Sequence, residues 1–336
     1  MKTIVARILS LNDAAMAEAA DIIKNGGLVA LPTETVYGLG ANALDEAACA
    51  KVYAVKGRPS DNPLIMHISD VAMLDSIAKN VPPMAEKLIQ TFWPGPLTVI
   101  LQRKNVPRGT FLDTVAVRMP KNPIALRLID LAKTPIAAPS ANLSGRPSPT
   151  TAGHVLRDLS GKIDMILDGG PCEVGLESTV IDCSGDGAPV ILRPGSVTRE
   201  MIEGLIGPVG MATEAAKDEA PKSPGMKYRH YAPEAKLTVV VGEAEKVRAK
   251  IQSLATDTEK IGIMATAESA YYYKHKNVLI MGDSHEAIAA NLFDMLRLCD
   301  EMGLEEVFVE GVAEEGLGVA IMNRLKKAAS YNILKV

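Results

Sequence analysis

In KGRPSDNPLIMHI, Lys56 to Ile68, a lysine and an arginine stand two positions apart, ahead of an asparagine and a histidine on a segment that contains two prolines. Arg58 precedes Pro59 and Asn62 precedes Pro63, which biases both toward extended backbone on a stiffened loop. Arg58 would offer a planar fork of donors and Lys56 a point charge, the usual complement of phosphate oxygens. The same cations also stand at a predicted helix end, where ordinary surface residues offset the macrodipole. For the pair alone that plainer reading is favoured, and the prolines shift the balance toward a polyanion site. His67, inside LIMHI, reads on its own as a satisfied strand histidine.

LPTETVYGLGANAL, Leu31 to Leu44, would place Thr33, Thr35 and Tyr37 on one face if extended. That is either a hydroxyl-lined pocket wall or a polar strand end before a Gly turn. In TVAVRMP the period of two puts Thr114, Ala116 and Arg118 on one face and Val115, Val117 and Met119 on the other. PIAAPSANLSGRPSP runs a strand of small residues into Ser140, Ala141 and Asn142, with Ser148 in a second proline-bounded turn. LESTVIDC and ILRPGSVT add Ser178, Thr179 and Arg193. None of these serines has a His and Asp arrangement that would activate it, so covalent catalysis is not expected. Gly38 and Gly40 do not complete GxGxxG, and GxxxxGK[ST] is absent. The five histidines have no HxxxH or HExxH spacing, which disfavours a protein-held catalytic zinc. What remains is the equipment of an enzyme that positions a phosphate ester.

These residues need a scaffold. The 336 residues, 47% hydrophobic and 23% charged, suffice for two packed domains. The first two hundred residues alternate helix and strand patterns, beginning with a helix capped at Asn12 or Asp13 and ending at Lys24, then the strand GLVALP. After Gly204 periodicity fades, and KLTVVVG, KIGIMAT, NVLIMGD and EEVFVEG then alternate with helices at Glu243 to Leu254, Ser284 to Met302 and Leu317 to Ala329, a small parallel α/β domain. The expected division is 1–208, a linker over 209–235, and 236–336. Within the linker, SPGMKYRHYAP is expected to be a lid: Pro224 and Pro233 stiffen its ends, Gly225 hinges it, and Lys227, Tyr228, Arg229, His230 and Tyr231 close over a ligand. Four scattered cysteines without CxxC read as core residues. No apolar run reaches the roughly 18 residues of a membrane span, so a cytoplasmic protein without a membrane partner is expected. A net charge of −4 argues against a surface that coats nucleic acid.

PTETVYGLG, KGRP with NPL and His67, PSAN, ESTV, RPG and SPGMKYRHYAP together resemble the motif series of the YrdC-like threonylcarbamoyl-AMP synthases in their two-domain form. The resemblance spans essentially the whole chain. It implies a twisted mixed sheet with helices followed by a small Rossmann-like domain. The implied reaction joins a carbamate of L-threonine and bicarbonate to the AMP moiety of ATP, releases pyrophosphate, and serves a threonylcarbamoyladenosine modification of tRNA. By the same resemblance Lys56, Arg58, Asn62, Thr114, Ser140, Ser148, Arg193 and Tyr231 bind ATP, while Thr35, His67, Arg118, Ala138 and Ser178 surround threonine. Lys56 and Arg58 act by positioning. Mg2+ is expected to arrive with the nucleotide, the product to pass to tRNA threonylcarbamoyl-transfer proteins, and direct tRNA binding to be weak or absent. Two rivals are an RNA-binding module without adenylate chemistry, which the acidic balance opposes, and carbamoyl transfer from carbamoyl phosphate, for which the chain lacks the expected extra domains and cysteine-rich fingers.

Overall fold

The computed structural model describes residues 4–7, 12–104, 112–212, 231–256 and 258–336. Its contacts divide into two compact units. One holds the described residues of Met1–Ser144, Ser148–Glu173 and Glu177–Lys227; the other holds those of Gly145–Pro147, Val174–Leu176 and Tyr228–Val336. The expected lid residues Pro224, Gly225 and Lys227 to His230 lie outside the described residues.

The first unit opens with β1 (Ile4–Arg7), α1 (Asp13–Lys24), β2 (Val29–Leu31), β3 (Gly38–Asn42), α2 (Glu46–Lys56) and β4 (Ile65–His67). It continues with α3 (Leu74–Ile77), β5 (Ala78–Lys79), α4 (Pro83–Phe92), β6 (Leu97–Arg103), β7 (Thr114–Arg118), α5 (Pro123–Ala132) and β8 (Ile136–Ala137). The last elements are α6 (Ala152–Leu159), β9 (Met165–Asp168), β10 (Thr179–Asp182), β11 (Val190–Arg193), α7 (Arg199–Ile206) and β12 (Gly210–Met211). The strands form one mixed sheet in the order β1-β9-β2-β3-β8-β4-β7-β6-β10-β11-β12, with β5 on β6. Gly210 and Met211, read from sequence as linker, instead pair in parallel with β11; two residues, one of them Gly, are too short to show a strand pattern.

Pleating decides which side chains meet. Val29 and Leu31 join the core under α1 and α5, whereas Leu28 and Ala30 pack with residues of α2 and α6. Along β7, Val115 and Val117 enter the core shared with α4 and α7, while Ala116 turns to the opposite face with Ile65, Ile100 and Val180. Thr114 and Arg118 have the parity of Ala116, as the alternation predicts. The loop cations are placed by caps. Asp45 accepts from Ala47 and Ala48 N–H at the start of α2, and Gly57, at φ +60°, ends the helix in the left-handed region. Lys56 is therefore the last helical residue, and Arg58 begins the loop.

The second unit adds β13 (Lys236–Val241), α8 (Ala244–Leu254), β14 (Ile261–Ala265), β15 (Val278–Ile280), α9 (His285–Glu301), β16 (Glu306–Glu310), α10 (Leu317–Ala328) and β17 (Ile333–Lys335). Its sheet is parallel throughout, in the order β15-β14-β16-β13-β17. The edge strand β17 goes beyond the four strands read from sequence; three residues at the chain end carry too little pattern. All four cysteines are buried and free. Among the described residues no helix is long and apolar enough to cross a membrane.

Candidate active site

Arg118 ends β7 directly opposite His67 of β4. Its guanidinium is only 4% exposed. Nε donates to Gly95 O (3.2 Å), Nη1 to Thr35 Oγ1 (2.8 Å), and Nη2 lies 2.8 Å from the buried Glu34 carboxylate. Thr33 Oγ1 donates to Val36 O (2.6 Å), so the 2.8 Å contact between the two threonine hydroxyls takes its proton from Thr35. A directional chain results, from Arg118 through Thr35 and Thr33 to the backbone. Burial, and then the Arg118 charge, hold the His67 imidazolium pKa down to about 3. His67 is therefore neutral at physiological pH, with Nδ1 donating to Ile65 O (3.2 Å). Ala138 N donates to the same carbonyl (3.0 Å), which brings a third expected threonine residue to β4. Ser178, the last of that set, contacts Thr98 Oγ1 (2.7 Å) and accepts from Arg193 Nη2 (3.1 Å). Arg193 Nε also reaches Ser178 O (3.1 Å), so a residue of the ATP set holds one of the threonine set.

The remaining cations hold backbone. Lys56 is 2% exposed, and its ammonium donates to Ser140 O, Asn142 O and Asn142 Oδ1. Ser140 Oγ donates to the same Asn142 Oδ1 (2.6 Å). Arg58 Nε and Nη2 donate to Asn62 O (3.3 Å) and Pro63 O (3.0 Å), closing the proline-stiffened loop on itself. Asn62 is buried, and among the described residues its Oδ1 has no hydrogen-bond partner, a costly condition for an interior acceptor. Ser148 Oγ donates to Glu177 Oε1 (2.6 Å). Thr114 is half-buried and lines a small cavity with Tyr53, Pro63 and Leu64. Tyr231 belongs to the second unit, where it is buried at φ +66° with its ring 5.2 Å from that of Phe293.

Tyr37 departs from the expected hydroxyl row. Residues 32–37 form no strand and bend at 34–36, and the Tyr37 hydroxyl donates to Gly170 O (2.7 Å) and accepts from Gly169 N–H (3.1 Å). Burial pushes its pKa above the ordinary phenol range. Its role is to tie the β3 entrance to the loop after β9. Tyr37→Phe should cost about 1–2 kcal/mol in a denaturant titration, the worth of buried bonds left unmade, with L-threonine affinity retained. Glu34, Thr98, Asn142 and Glu177 complete the polar network and were not among the candidate site residues. Glu34, Asn142 and Glu177 sit in the polar motifs TET, PSAN and EST, a local hint that Thr98, inside the apolar run PLTVIL, does not share.

Residues 21–195 match the family described as Telomere recombination, and residues 197–330 match that described as Threonylcarbamoyl-AMP synthase, C-terminal domain. The threonylcarbamoyl-AMP synthase of Pyrococcus abyssi is 51% identical over 327 residues, 95% of each chain. That of Bacillus subtilis is 47% identical over 334 residues, covering 97% of this chain and 96% of the relative. The crystal structure of P. abyssi Sua5 complexed with L-threonine superposes with a TM-score of 0.94 at 48% identity, covering 100% of both chains.

Proposed function

This chain belongs to the threonylcarbamoyl-AMP synthase family, enzymes that make threonylcarbamoyl-AMP and pyrophosphate from L-threonine, bicarbonate and ATP for tRNA modification, and from that premise we propose how its residues divide the work. Thr35, His67, Arg118, Ala138 and Ser178 take the amino acid, with Arg118 on its carboxylate. Lys56, Arg58, Asn62, Thr114, Ser140, Ser148 and Arg193 take ATP. The observation that carries the assignment is the buried hydrogen-bonded chain from Arg118 through Thr35 to Thr33 beside a neutral His67.

Attack of a carbamate oxygen on the α-phosphorus brings two anions together. Charge neutralisation and alignment therefore supply most of the rate, without a protein nucleophile. Lys56 contributes by fixing the Ser140 and Asn142 carbonyls and lending charge through space, since its ammonium already donates to three acceptors. The Asn62 Oδ1, unpaired among the described residues, would take a donor from the nucleotide, a hydroxyl or an amino group. Among the described residues no group of three His, Cys, Asp or Glu could hold a metal, and the donor set fits Mg2+ as part of the nucleotide. Carried there, the ion would offset triphosphate charge. We place the enzyme in the cytoplasm, handing its product to the proteins that modify tRNA and binding tRNA weakly or not at all.

Pyrophosphate release from ATP should require both L-threonine and bicarbonate, because the attacking oxygen exists only after they combine. A coupled pyrophosphate assay with mass detection of the adenylate checks this. Full-rate release with either component omitted would sink the assigned reaction.

A further inference from the structure

Thr98 has no assigned role, yet the sheet sets it in one row with two residues that do. His67 of β4 stands opposite Arg118 of β7. The β7–β6 register pairs Ala116 with Ile100 and Val117 with Val99, and one residue further it brings Arg118 level with Thr98. Parity agrees. Ile65, Ala116 and Ile100 pack together with Val180, and His67, Arg118 and Thr98 each stand two residues from a member of that cluster, on the same face. The row ends at β10, where Ser178 Oγ lies 2.7 Å from the Thr98 hydroxyl.

Thr98, Ser178 and Arg193 hold one hydrogen more than they can place. Arg193 Nη2 donates to Ser178 Oγ at 3.1 Å, and the two hydroxyls share a single hydrogen bond at 2.7 Å. Those two contacts use one guanidinium hydrogen and one hydroxyl hydrogen. The second hydroxyl hydrogen has no acceptor among the described residues, and both hydroxyls are buried. A donor shut in the interior without an acceptor is costly. A ligand relieves that cost with an acceptor oxygen, and an ammonium group cannot. Arg193 Nε also holds Ser178 O (3.1 Å), which fixes the backbone of Ser178 and leaves the direction of its hydroxyl to Thr98.

Resting on the assignment of Ser178 to the amino-acid site, we infer that Thr98 is a positioning residue for the reaction. It donates to Ser178 Oγ beside Arg193, fills the second lone pair, and so turns the Ser178 hydrogen toward an anionic oxygen of the substrate. That oxygen belongs to the carboxyl group of threonine or to the one added in its carbamate. The guanidinium on Ser178 Oγ strengthens the hydroxyl as a donor.

Thr98→Val keeps the shape and removes the hydroxyl. On the full chain, calorimetry with L-threonine in the absence of bicarbonate reads the first source of the oxygen, and kcat of pyrophosphate release at saturating substrates reads the second. A threonine carboxylate as acceptor gives a threonine Kd raised about tenfold with kcat nearly kept; a carbamate oxygen gives a native Kd with kcat about tenfold lower. ATP affinity should be unchanged, and Thr98→Ser, which returns the hydroxyl, should restore the native values. Ser178→Ala should lose at least as much as Thr98→Val, and the double variant no more than Ser178→Ala alone, because one residue acts through the other. Native Kd and kcat in Thr98→Val overturn the inference, as do losses that add in the double variant, a parallel fall in ATP affinity, or a folded Thr98→Ser without rescue. Threonine binding and turnover that both survive Ser178→Ala would instead sink the assignment of Ser178.

Discussion

Arg118→Ala is expected to lower unfolding free energy by about 3–5 kcal/mol and to abolish measurable L-threonine binding. The stability loss has a defined source. Glu34 and Arg118 are each 4% exposed, and removing the guanidinium leaves the carboxylate in the interior with no opposite charge at 2.8 Å. Thr35 Oγ1 and Gly95 O lose their donors in the same step. Denaturant titration reads the first effect and calorimetry with L-threonine the second. Arg58→Ala should behave in the opposite sense: its partners Asn62 O and Pro63 O lie on a loop, so the fold should survive while ATP affinity falls by about 1.5–3 kcal/mol and threonine affinity is nearly kept. Equal losses of both ligands in both variants would refute the partition between phosphate and carboxylate.

Lys56→Met is the second change with a large expected effect. The methionine fills much of the same buried volume and removes the ammonium that gathers Ser140 O, Asn142 O and Asn142 Oδ1. Two interior carbonyls then lack a donor, at about 1–3 kcal/mol each. Because Ser144 N also donates to Lys56 O (2.9 Å), the whole PSANLS turn depends on this residue. ATP affinity should fall at least as far as in Arg58→Ala, and amide exchange should accelerate around residues 140–144. Native exchange protection in that turn, with ATP binding alone reduced, would mean that Lys56 acts on the phosphates directly and not through the backbone it holds.

The local features of this site were legible in the sequence because short-range rules govern them. The alternation in TVAVRMP put Arg118 on the face of Thr114 and Ala116, and the pleat allows no other parity once Val115 and Val117 are buried. Asp45 and Gly57 cap α2, so the position of Lys56 at a helix end followed from two residue types. The helices of the second unit were readable to within a residue or two from their apolar period and from caps such as Ser284.

Contacts made by distant segments were not legible, since no local period encodes them. An extended TETVY would have aligned Tyr37 with Thr35. The antiparallel pairing of β3 with β2 and β8 instead bends the entering chain and sends the Tyr37 ring under the loop at Gly169 and Gly170. Lys56 read as an exposed point charge until the PSAN turn closed on it, 84 residues away, and buried the ammonium among carbonyls. Composition, motif order and strand parity were thus determined by the sequence alone, because each is set within a few residues. Which polar groups are buried together, the charges of Glu34 and Arg118 and the Ser178 hydroxyl with Arg193, was decided only by the tertiary structure. Sheet order brings those segments into contact, and burial then makes each charge depend on the partner it finds.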